Sequence, residues 1–143
     1  MLWALPKGAP FFYTEAMGST GSDEVFDPEP FRRGLESRNA QRQVRIEERA
    51  ARARAFLPRI RDAFLEIDPD MRRLVLFGSL AKGLPNHEDF DIDVAVSSSR
   101  YLRLVAWALD QEWKVDVIDL DGIAGTFLED IEDQAEVLYE KRR

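Results

Sequence analysis

The feature that most constrains this chain is a short apolar run that ends in a glycine and a small hydroxyl residue. Residues 74–77, Leu-Val-Leu-Phe, are typical of a buried strand, and Gly78 and Ser79 follow at once. A glycine lets the backbone N–H groups of a turn approach a phosphate closely, and a serine hydroxyl adds a donor. The order strand, glycine, serine therefore indicates a turn that can bind a phosphate. Alone this signal is weak, since the sequence that follows fits neither a Walker A loop nor a dinucleotide-binding fingerprint.

Three aspartates follow on two further predicted strands. Asp91 and Asp93 open the strand predicted over 90–96, and alternate residues of a strand share a face, so the two carboxylates project together. Asp116 interrupts the apolar strand predicted over 113–120, where a bare carboxylate is costly and a metal ion or hydrogen-bond partner is implied. An isolated Asp-x-Asp is more often a solvated edge, but the third acid favours convergence on cations. The set predicts a magnesium-and-triphosphate site, because nucleotidyl transfer needs cations that neutralise the attacking and leaving oxygens.

Composition excludes several other kinds of site. The chain has 143 residues, of which 45% are hydrophobic, and this suits one domain with a modest core. The absence of cysteine excludes disulfides, thiolate zinc sites and cysteine nucleophiles. No apolar run approaches the roughly 20 residues that span a bilayer. The N-terminus also lacks the order of a signal peptide. We therefore expect a cytoplasmic protein without a membrane partner.

Charge is distributed unevenly along the chain. The net charge is −7, yet residues 31–73 hold twelve arginines against seven acids, while residues 74–143 hold seven basic and fifteen acidic residues. The acidic balance disfavours a long nucleic-acid partner, and the basic stretch keeps a local contact open. Most of the arginines lie beside the apolar stripe of a predicted helix. They indicate a solvated face, with a partner-docking surface as the alternative.

An N-terminal arm and a long helix are predicted before the strands. Residues 1–30 form the arm, either flexible or partner-binding, with a glycine–serine joint at 18–22. The helix is predicted over 31–67, with a start signal at residues 27–30 and with a kink or a break into two helices at Pro58. Apolar residues at spacings of three and four predict one buried face: Ile46, Ala50, Ala53, Leu57, Ile60, Phe64 and Ile67.

The helix is predicted to pack on a core formed by residues 71–140. The first predicted strand is 73–77, and a helix over 100–111 joins the two later strands. A last helix over 123–140 is predicted to close the domain, with these residues inward: Phe127, Leu128, Ile131, Ala135 and Leu138. The predicted fold class is α/β (α+β), a small mixed sheet flanked by helices, with an N-terminal helical extension.

The ordered motifs resemble a known family. The segment GSLAKG, followed by DFDIDVAV at 89–96, resembles the Gly-Ser…Asp-x-Asp signature of the DNA polymerase β-like nucleotidyltransferase superfamily, and is most similar to the minimal nucleotidyltransferases, or MNT domains. The resemblance covers about 71–140 and implies a polymerase β palm-like fold for a domain over 31–143. The chain departs from the family pattern in two places. The interval between the serine and the first aspartate is one residue longer than is common, and Phe90 stands where a serine often precedes that aspartate.

The resemblance implies phosphate-binding roles for three residues. The Gly78 amide and Ser79 would hold the β- and γ-phosphates of a nucleoside triphosphate. Lys82 would contact a phosphate, with an exposed lysine of no such role as the alternative. His87, the only histidine, is expected to be a surface residue rather than a general base.

The resemblance also implies a ligand set for two metal ions. Asp91 and Asp93 would bridge two Mg²⁺ ions, for which Mn²⁺ can substitute. Asp116 would ligate the ion that activates the acceptor hydroxyl. The three aspartates would thus be both the metal ligands and the catalytic residues.

MNT proteins similar to this chain are often antitoxins that are encoded beside HEPN ribonuclease toxins and modify them by adenylylation. The resemblance therefore implies a Mg²⁺-dependent enzyme that moves a nucleoside monophosphate from a nucleoside triphosphate to a hydroxyl of a HEPN-type toxin. AMP, transferred from ATP, is the expected nucleotide. One alternative is a non-catalytic antitoxin of the same fold that neutralises its partner by contact. Another is a nucleotidyltransferase that acts on tRNA or a small molecule. The presence of all three acids and the Gly-Ser pair favours an enzyme over the non-catalytic antitoxin. The acidic balance and the absence of a large second domain count against a tRNA or small-molecule acceptor.

Overall fold

The computed structural model describes residues 25–142, and the chain divides into two compact units, Met1–Glu36 and Ser37–Arg143. The predicted glycine–serine joint and most of the predicted arm lie outside the described residues. In the first unit, the carboxylate of Asp27 accepts a hydrogen bond from the backbone N–H of Glu29 at 3.0 Å. This is the capping contact expected at the predicted start of the helix.

The first helix, α1, spans Glu29–Ile67. Its buried face is the predicted one, except that Ile67 is only half-buried, and consists of Ile46, Ala50, Ala53, Leu57, Ile60 and Phe64. The helix continues through Pro58, so the predicted alternative of two separate helices is wrong. Pro58 and Arg54 are both exposed, and the backbone carbonyl that lacks a helical partner can therefore bind water. Within residues 25–142, no helix is both long and apolar enough to cross a membrane.

Four strands form one mixed sheet in the order β3-β2-β1-β4. They are β1 at Arg73–Phe77, β2 at Ile92–Ser97, β3 at Val115–Asp119 and β4 at Glu136–Glu140. Strand β1 pairs antiparallel with β2 and with β4, whereas β2 and β3 are parallel. Helix α2, Tyr101–Leu109, connects the parallel pair, as parallel neighbours require a crossover. The predicted fold class, a small mixed sheet flanked by helices, is confirmed.

The predicted last helix over 123–140 is wrong, because its second half is a strand. A 3₁₀ turn at Leu120–Gly122 precedes a short helix, α3, at Thr126–Gln134. Ala135 then has φ −75° and ψ 143°, which is extended backbone. Residues 136–140 form β4 along the free edge of β1. An unpaired strand edge offers backbone hydrogen bonds that override a local helical pattern, and such an edge is not visible in sequence periodicity.

Buried side chains cover both faces of the sheet. The larger cluster fills the space between the sheet and helices α1 and α2, and includes Leu76 and Val94. The smaller cluster joins the other face to α3 through Val75, Ala95 and Ile131. Because side chains of a strand alternate between faces, the odd-numbered residues of β2 project toward the α3 side.

Candidate active site

The three predicted acids meet at one end of the sheet, where β1 ends and β2 and β3 begin. Asp91 immediately precedes β2, Asp93 is its second residue, and Asp116 is the second residue of β3. Asp93 is paired with Asp116 in the parallel register and with Phe77 at the end of β1. Directly paired residues project from the same face, so the Asp93 and Asp116 side chains are neighbours on the α3 side. The fold thus brings together acids that lie on different strands.

The pKa of Asp93 is shifted by burial and by the other two acids. Its side chain is half-buried, and burial, followed by the charges of Asp116 and Asp91, raises the pKa of Asp93 to about 6. Asp116 is exposed because β3 is an edge strand. The predicted reason for a partner at Asp116, a carboxylate buried in an apolar strand, is therefore wrong. Asp93, one strand further into the sheet, is the half-buried member of the pair.

The glycine of the predicted phosphate-binding turn packs directly against Asp93. Gly78 has φ +78°, in the left-handed region that glycine adopts without strain. A β-carbon at this position would overlap Oδ2 of the Asp93 carboxylate. The carbonyl of Gly78 accepts a hydrogen bond from the N–H of Lys82 at 3.3 Å, which closes the turn. Ser79 is half-buried in this turn and Lys82 is exposed beside it.

Gly78→Ala should destabilise the protein by more than about 1 kcal/mol, because alanine is strained at positive φ and must also displace the Asp93 carboxylate. Gly125→Ala is a reference for a positive φ without overlap, since Gly125 has φ +75° and nothing lies within 4 Å of its β-carbon position. Denaturant unfolding measures the free energy of unfolding of both variants. A loss below about 1 kcal/mol in Gly78→Ala would show that the turn does not pack against the Asp93 carboxylate.

An arginine of α1 holds the glycine–serine turn in place. The Nη2 of Arg54 donates a hydrogen bond to the carbonyl of Leu80 at 3.0 Å, and its Nη1 lies 3.0 Å from Oε1 of Glu136 on β4. The turn after β1 is thereby attached both to the helix and to the edge strand.

Two further arginines of α1 contact loop 84–90, which leads to the first aspartate. The Nη2 of Arg42 donates to the carbonyl of Asn86 at 3.1 Å, and Arg45 pairs with Glu88 at 3.0 Å. The prediction of a solvated arginine face is right about exposure, since both side chains are exposed. The prediction missed the contacts that these two arginines make with loop 84–90 beside the site.

Arg49 lies against two aromatic rings beside the site. Its Cζ is 4.5 Å from the ring centroid of Trp113 and 5.2 Å from that of Phe90, and its Nη2 is 3.4 Å from the Phe90 carbonyl. Phe90 immediately precedes Asp91, and Trp113 immediately precedes Lys114. The stack therefore fixes the chain where it enters two of the site's strands. Phe90, which stands where the family often has a serine, therefore packs against Arg49 in this protein.

Lys114 is a charged residue of the site that sequence patterns did not identify. Its Nζ lies 3.2 Å from Oδ2 of Asp91. The hydrogen bond to Asp91, together with the charges of Asp91 and Asp116, raises the pKa of Lys114. A signal was present in the sequence, because Lys114 lies two residues before Asp116 and therefore on the same face of an extended chain.

The donor set suits a divalent cation, although the side chains are not arranged around one. Carboxylate oxygens are the ligands that Mg²⁺ and Mn²⁺ prefer. Among the residues that the structure describes, no three histidine, aspartate or glutamate side chains stand in an arrangement that could hold a metal ion. Asp91 is instead paired with Lys114, and Asp93 faces Asp116. Burial, followed by the charges of Asp116 and Asp91, raises the pKa of Asp93. A divalent cation would offset the repulsion among these carboxylates, so the donor set fits such an ion.

The family assignment rests on a match to more than half of the chain. The family model described as Polymerase beta, Nucleotidyltransferase matches residues 62–143, which include the turn and all three acids. The chain belongs to this family. The resemblance seen in the Gly-Ser and Asp-x-Asp motifs is thereby confirmed at the level of the polymerase β nucleotidyltransferases. Among curated proteins, no match was found.

Several solved structures are similar to part of this polymerase β family member. A toxin–antitoxin structure with AMP-PNP has a TM-score of 0.46 and 26% identity, over 59% of this chain and 73% of that chain. The MntA–HepT toxin–antitoxin structure has a TM-score of 0.45 and 22% identity, over 62% and 73% of the two chains. A tri-AMPylated Shewanella oneidensis HEPN toxin in complex with an MNT antitoxin has a TM-score of 0.45 and 23% identity, over 62% and 72%.

Proposed function

We propose that this protein is a magnesium-dependent nucleotidyltransferase that moves a nucleoside monophosphate to a hydroxyl of a partner protein. AMP is the proposed nucleotide. The observation that carries the proposal is the meeting of Asp91, Asp93 and Asp116 beside the Gly78 turn, in a chain of the polymerase β nucleotidyltransferase family. Neighbouring carboxylates beside a tight glycine turn are costly for folding and suited to cations and phosphates.

The glycine turn is proposed to bind the triphosphate. The Gly78 amide and the Ser79 amide and hydroxyl are the donors for the β- and γ-phosphates, and the exposed Lys82 adds a positive charge beside them. Because Arg54 hydrogen-bonds to the Leu80 carbonyl at the end of this turn, the donor groups of Gly78 and Ser79 need little rearrangement when the triphosphate binds. The turn thereby positions the α-phosphorus for attack by the acceptor oxygen. As the new O–P bond forms, the hydroxyl proton passes to solvent, the bond from the α-phosphorus to the bridging oxygen breaks, and pyrophosphate leaves.

The three aspartates are proposed to hold two Mg²⁺ ions, for which Mn²⁺ can substitute. Asp91 and Asp93 would bind both ions, and Asp116 would bind the one nearer the acceptor. When bound, the ions neutralise charge on the attacking and leaving oxygens. Asp116 is the exposed member of the set on the edge strand, so an acceptor hydroxyl can approach this side from solvent.

A protein partner, a HEPN-type toxin, is proposed as the acceptor. The sequence resemblance to MNT antitoxins supports this choice, since those proteins act on such partners. The acidic C-terminal half favours a protein hydroxyl over a nucleic acid, whose phosphates it would repel. Within the described residues, the arginines at the start of α1 that do not bind the site's loops, such as Arg38, are exposed and suited to docking.

A second function, a non-catalytic antitoxin of the same fold, is favoured by one observation. The Nζ of Lys114 lies 3.2 Å from Oδ2 of Asp91, so this carboxylate is already paired within the protein. A chain that acts by contact alone would keep such an ion pair permanently.

Mass spectrometry of the co-purified partner separates the two functions. The partner is co-expressed with the wild type or with the double variant Asp91→Asn/Asp93→Asn. We expect a nucleoside monophosphate adduct on a partner tyrosine or other hydroxyl with the wild type only. Equal adducts with both proteins would exclude this chain as the catalyst. Neutralisation of the partner by the double variant, without an adduct, would support the contact mechanism.

A further inference from the structure

The ion pair between Lys114 and Asp91 lies inside the candidate site, unlike another lysine–aspartate pair of the molecule. The Lys114 side chain is 70% exposed and that of Asp91 is 32% exposed. The pair between Lys141 and Asp70, at 3.4 Å, lies at the opposite end of β1, where Lys141 hydrogen-bonds to the Arg72 backbone. The two pairs are alike in chemistry and differ in their distance from the site.

The backbone and a neighbouring ring place Lys114 where it can reach the aspartate. The carbonyl of Lys114 accepts a hydrogen bond from the N–H of Ile92 at 3.0 Å, which ties it to the residue after Asp91. On its other side, Trp113 is held by the Arg49 guanidinium, 4.5 Å from the ring centroid. The base of the lysine side chain is therefore fixed, and its ammonium faces the three acids.

We propose that Lys114 is a built-in counter-ion of the metal site, which neutralises Asp91 in the metal-free protein and is displaced when a divalent cation binds. The inference rests on the proposed function, because it requires Asp91 to be a metal ligand. Without a cation, the carboxylates of Asp91, Asp93 and Asp116 would repel one another, and the ammonium offsets this repulsion.

The counter-ion has a consequence for the order of binding. To bind Asp91, a divalent cation alone must break the ion pair with Lys114, and the displaced ammonium then repels the cation. Both effects weaken the binding of the cation. A triphosphate that arrives with the cation supplies negative charge to the released Lys114 and removes this cost. The site therefore favours a cation that comes with a nucleotide over a cation alone.

Titration with Mn²⁺ in the absence of nucleotide tests the proposal, with binding followed by electron paramagnetic resonance. We expect Lys114→Met to bind Mn²⁺ about two- to tenfold more tightly than the wild type, the range for loss of one exposed charge interaction. Lys141→Met, which removes the same charge from the remote pair, should leave Mn²⁺ affinity at the wild-type value. Lys114→Arg retains the charge and should also bind as the wild type does.

Repeating the Mn²⁺ titration at higher ionic strength gives a second test of the counter-ion role. The difference between the wild type and Lys114→Met should narrow as ionic strength rises to about 1 M, where screening acts over about 3 Å. Equal or weaker Mn²⁺ binding by Lys114→Met, in a variant whose circular dichroism shows the wild-type fold, would overturn the counter-ion role and leave the proposed function standing. Absence of Mn²⁺ binding by all four proteins, with and without a non-hydrolysable triphosphate, would overturn the metal site and the counter-ion together.

Discussion

Asp93→Asn is expected to stabilise the metal-free protein at pH 8, although it removes a residue of the candidate active site. Burial and the charges of Asp116 and Asp91 raise the pKa of Asp93 from an ordinary 3.8 to about 6, so the folded protein binds this proton more tightly than the unfolded chain. Folding stability from this group is therefore fully present below about pH 4 and is lost as pH rises through about 6. Asparagine stays uncharged, so the variant avoids that loss.

The expected gain at pH 8 is about 1–2 kcal/mol, discounted because the side chain is half exposed, and it should vanish below about pH 4. Denaturant unfolding between pH 4 and 8, in the presence of a chelator, measures the free energy of unfolding of both proteins. Asp133→Asn, on an exposed face of α3, is the control and should show no such pH-dependent gain. A difference that does not vary with pH would contradict the raised pKa of Asp93.

Metal and nucleotide should reverse the order of stability. We expect Mg²⁺ or Mn²⁺ with a non-hydrolysable triphosphate to bind only the folded wild type. At a hundredfold excess over the dissociation constant, the expected gain in the free energy of unfolding is about 2.7 kcal/mol. Asp93→Asn should lose most of this gain. An unchanged melting temperature of the wild type would contradict the assignment of the three aspartates.

The second large effect is expected at the Gly78–Ser79 turn, the proposed phosphate site. Ser79→Ala removes one proposed donor to the triphosphate and should lower the rate of nucleotide transfer about ten- to a thousandfold, as loss of a preorganised charge-stabilising contact does. The half-buried serine occupies a turn that Gly78 and Arg54 hold, so the variant should remain folded. Lys82→Ala should raise the triphosphate concentration needed for half-maximal rate.

Steady-state rates with the partner as acceptor, measured over a range of triphosphate concentrations, separate these effects. Lys141→Ala is the control for Lys82→Ala, because it removes an exposed lysine from the other end of the sheet. Normal rates and normal triphosphate dependence in both Ser79→Ala and Lys82→Ala would place the phosphates away from this turn.

Features that depend on local periodicity could be predicted from the sequence. The buried stripe of α1 and strand β1 were predictable because their spacing alone determines which face is apolar. Asp91 and Asp93 were predictable as a pair for the same reason. Their meeting with Asp116 also required the parallel register of β2 and β3, which local pattern does not determine.

Features that depend on contacts between distant segments could not be predicted. Residues 136–140 were predicted to be the end of a helix, and they form β4 because β1 has a free edge. Asp116 lies in an apolar run, but its strand is at the edge of the sheet, so the burial falls on Asp93. Likewise, Arg54 has the sequence pattern of a solvated surface residue, and only the fold brings Leu80 and Glu136 within its reach.

The most direct test of the account is to locate Mn²⁺ by its anomalous scattering in crystals grown with a non-hydrolysable nucleoside triphosphate. The account predicts manganese peaks about 2.1 Å from carboxylate oxygens of Asp91, Asp93 and Asp116, with the triphosphate on the Gly78–Ser79 turn. Manganese and triphosphate bound elsewhere, with Lys114 still paired to Asp91, would contradict it.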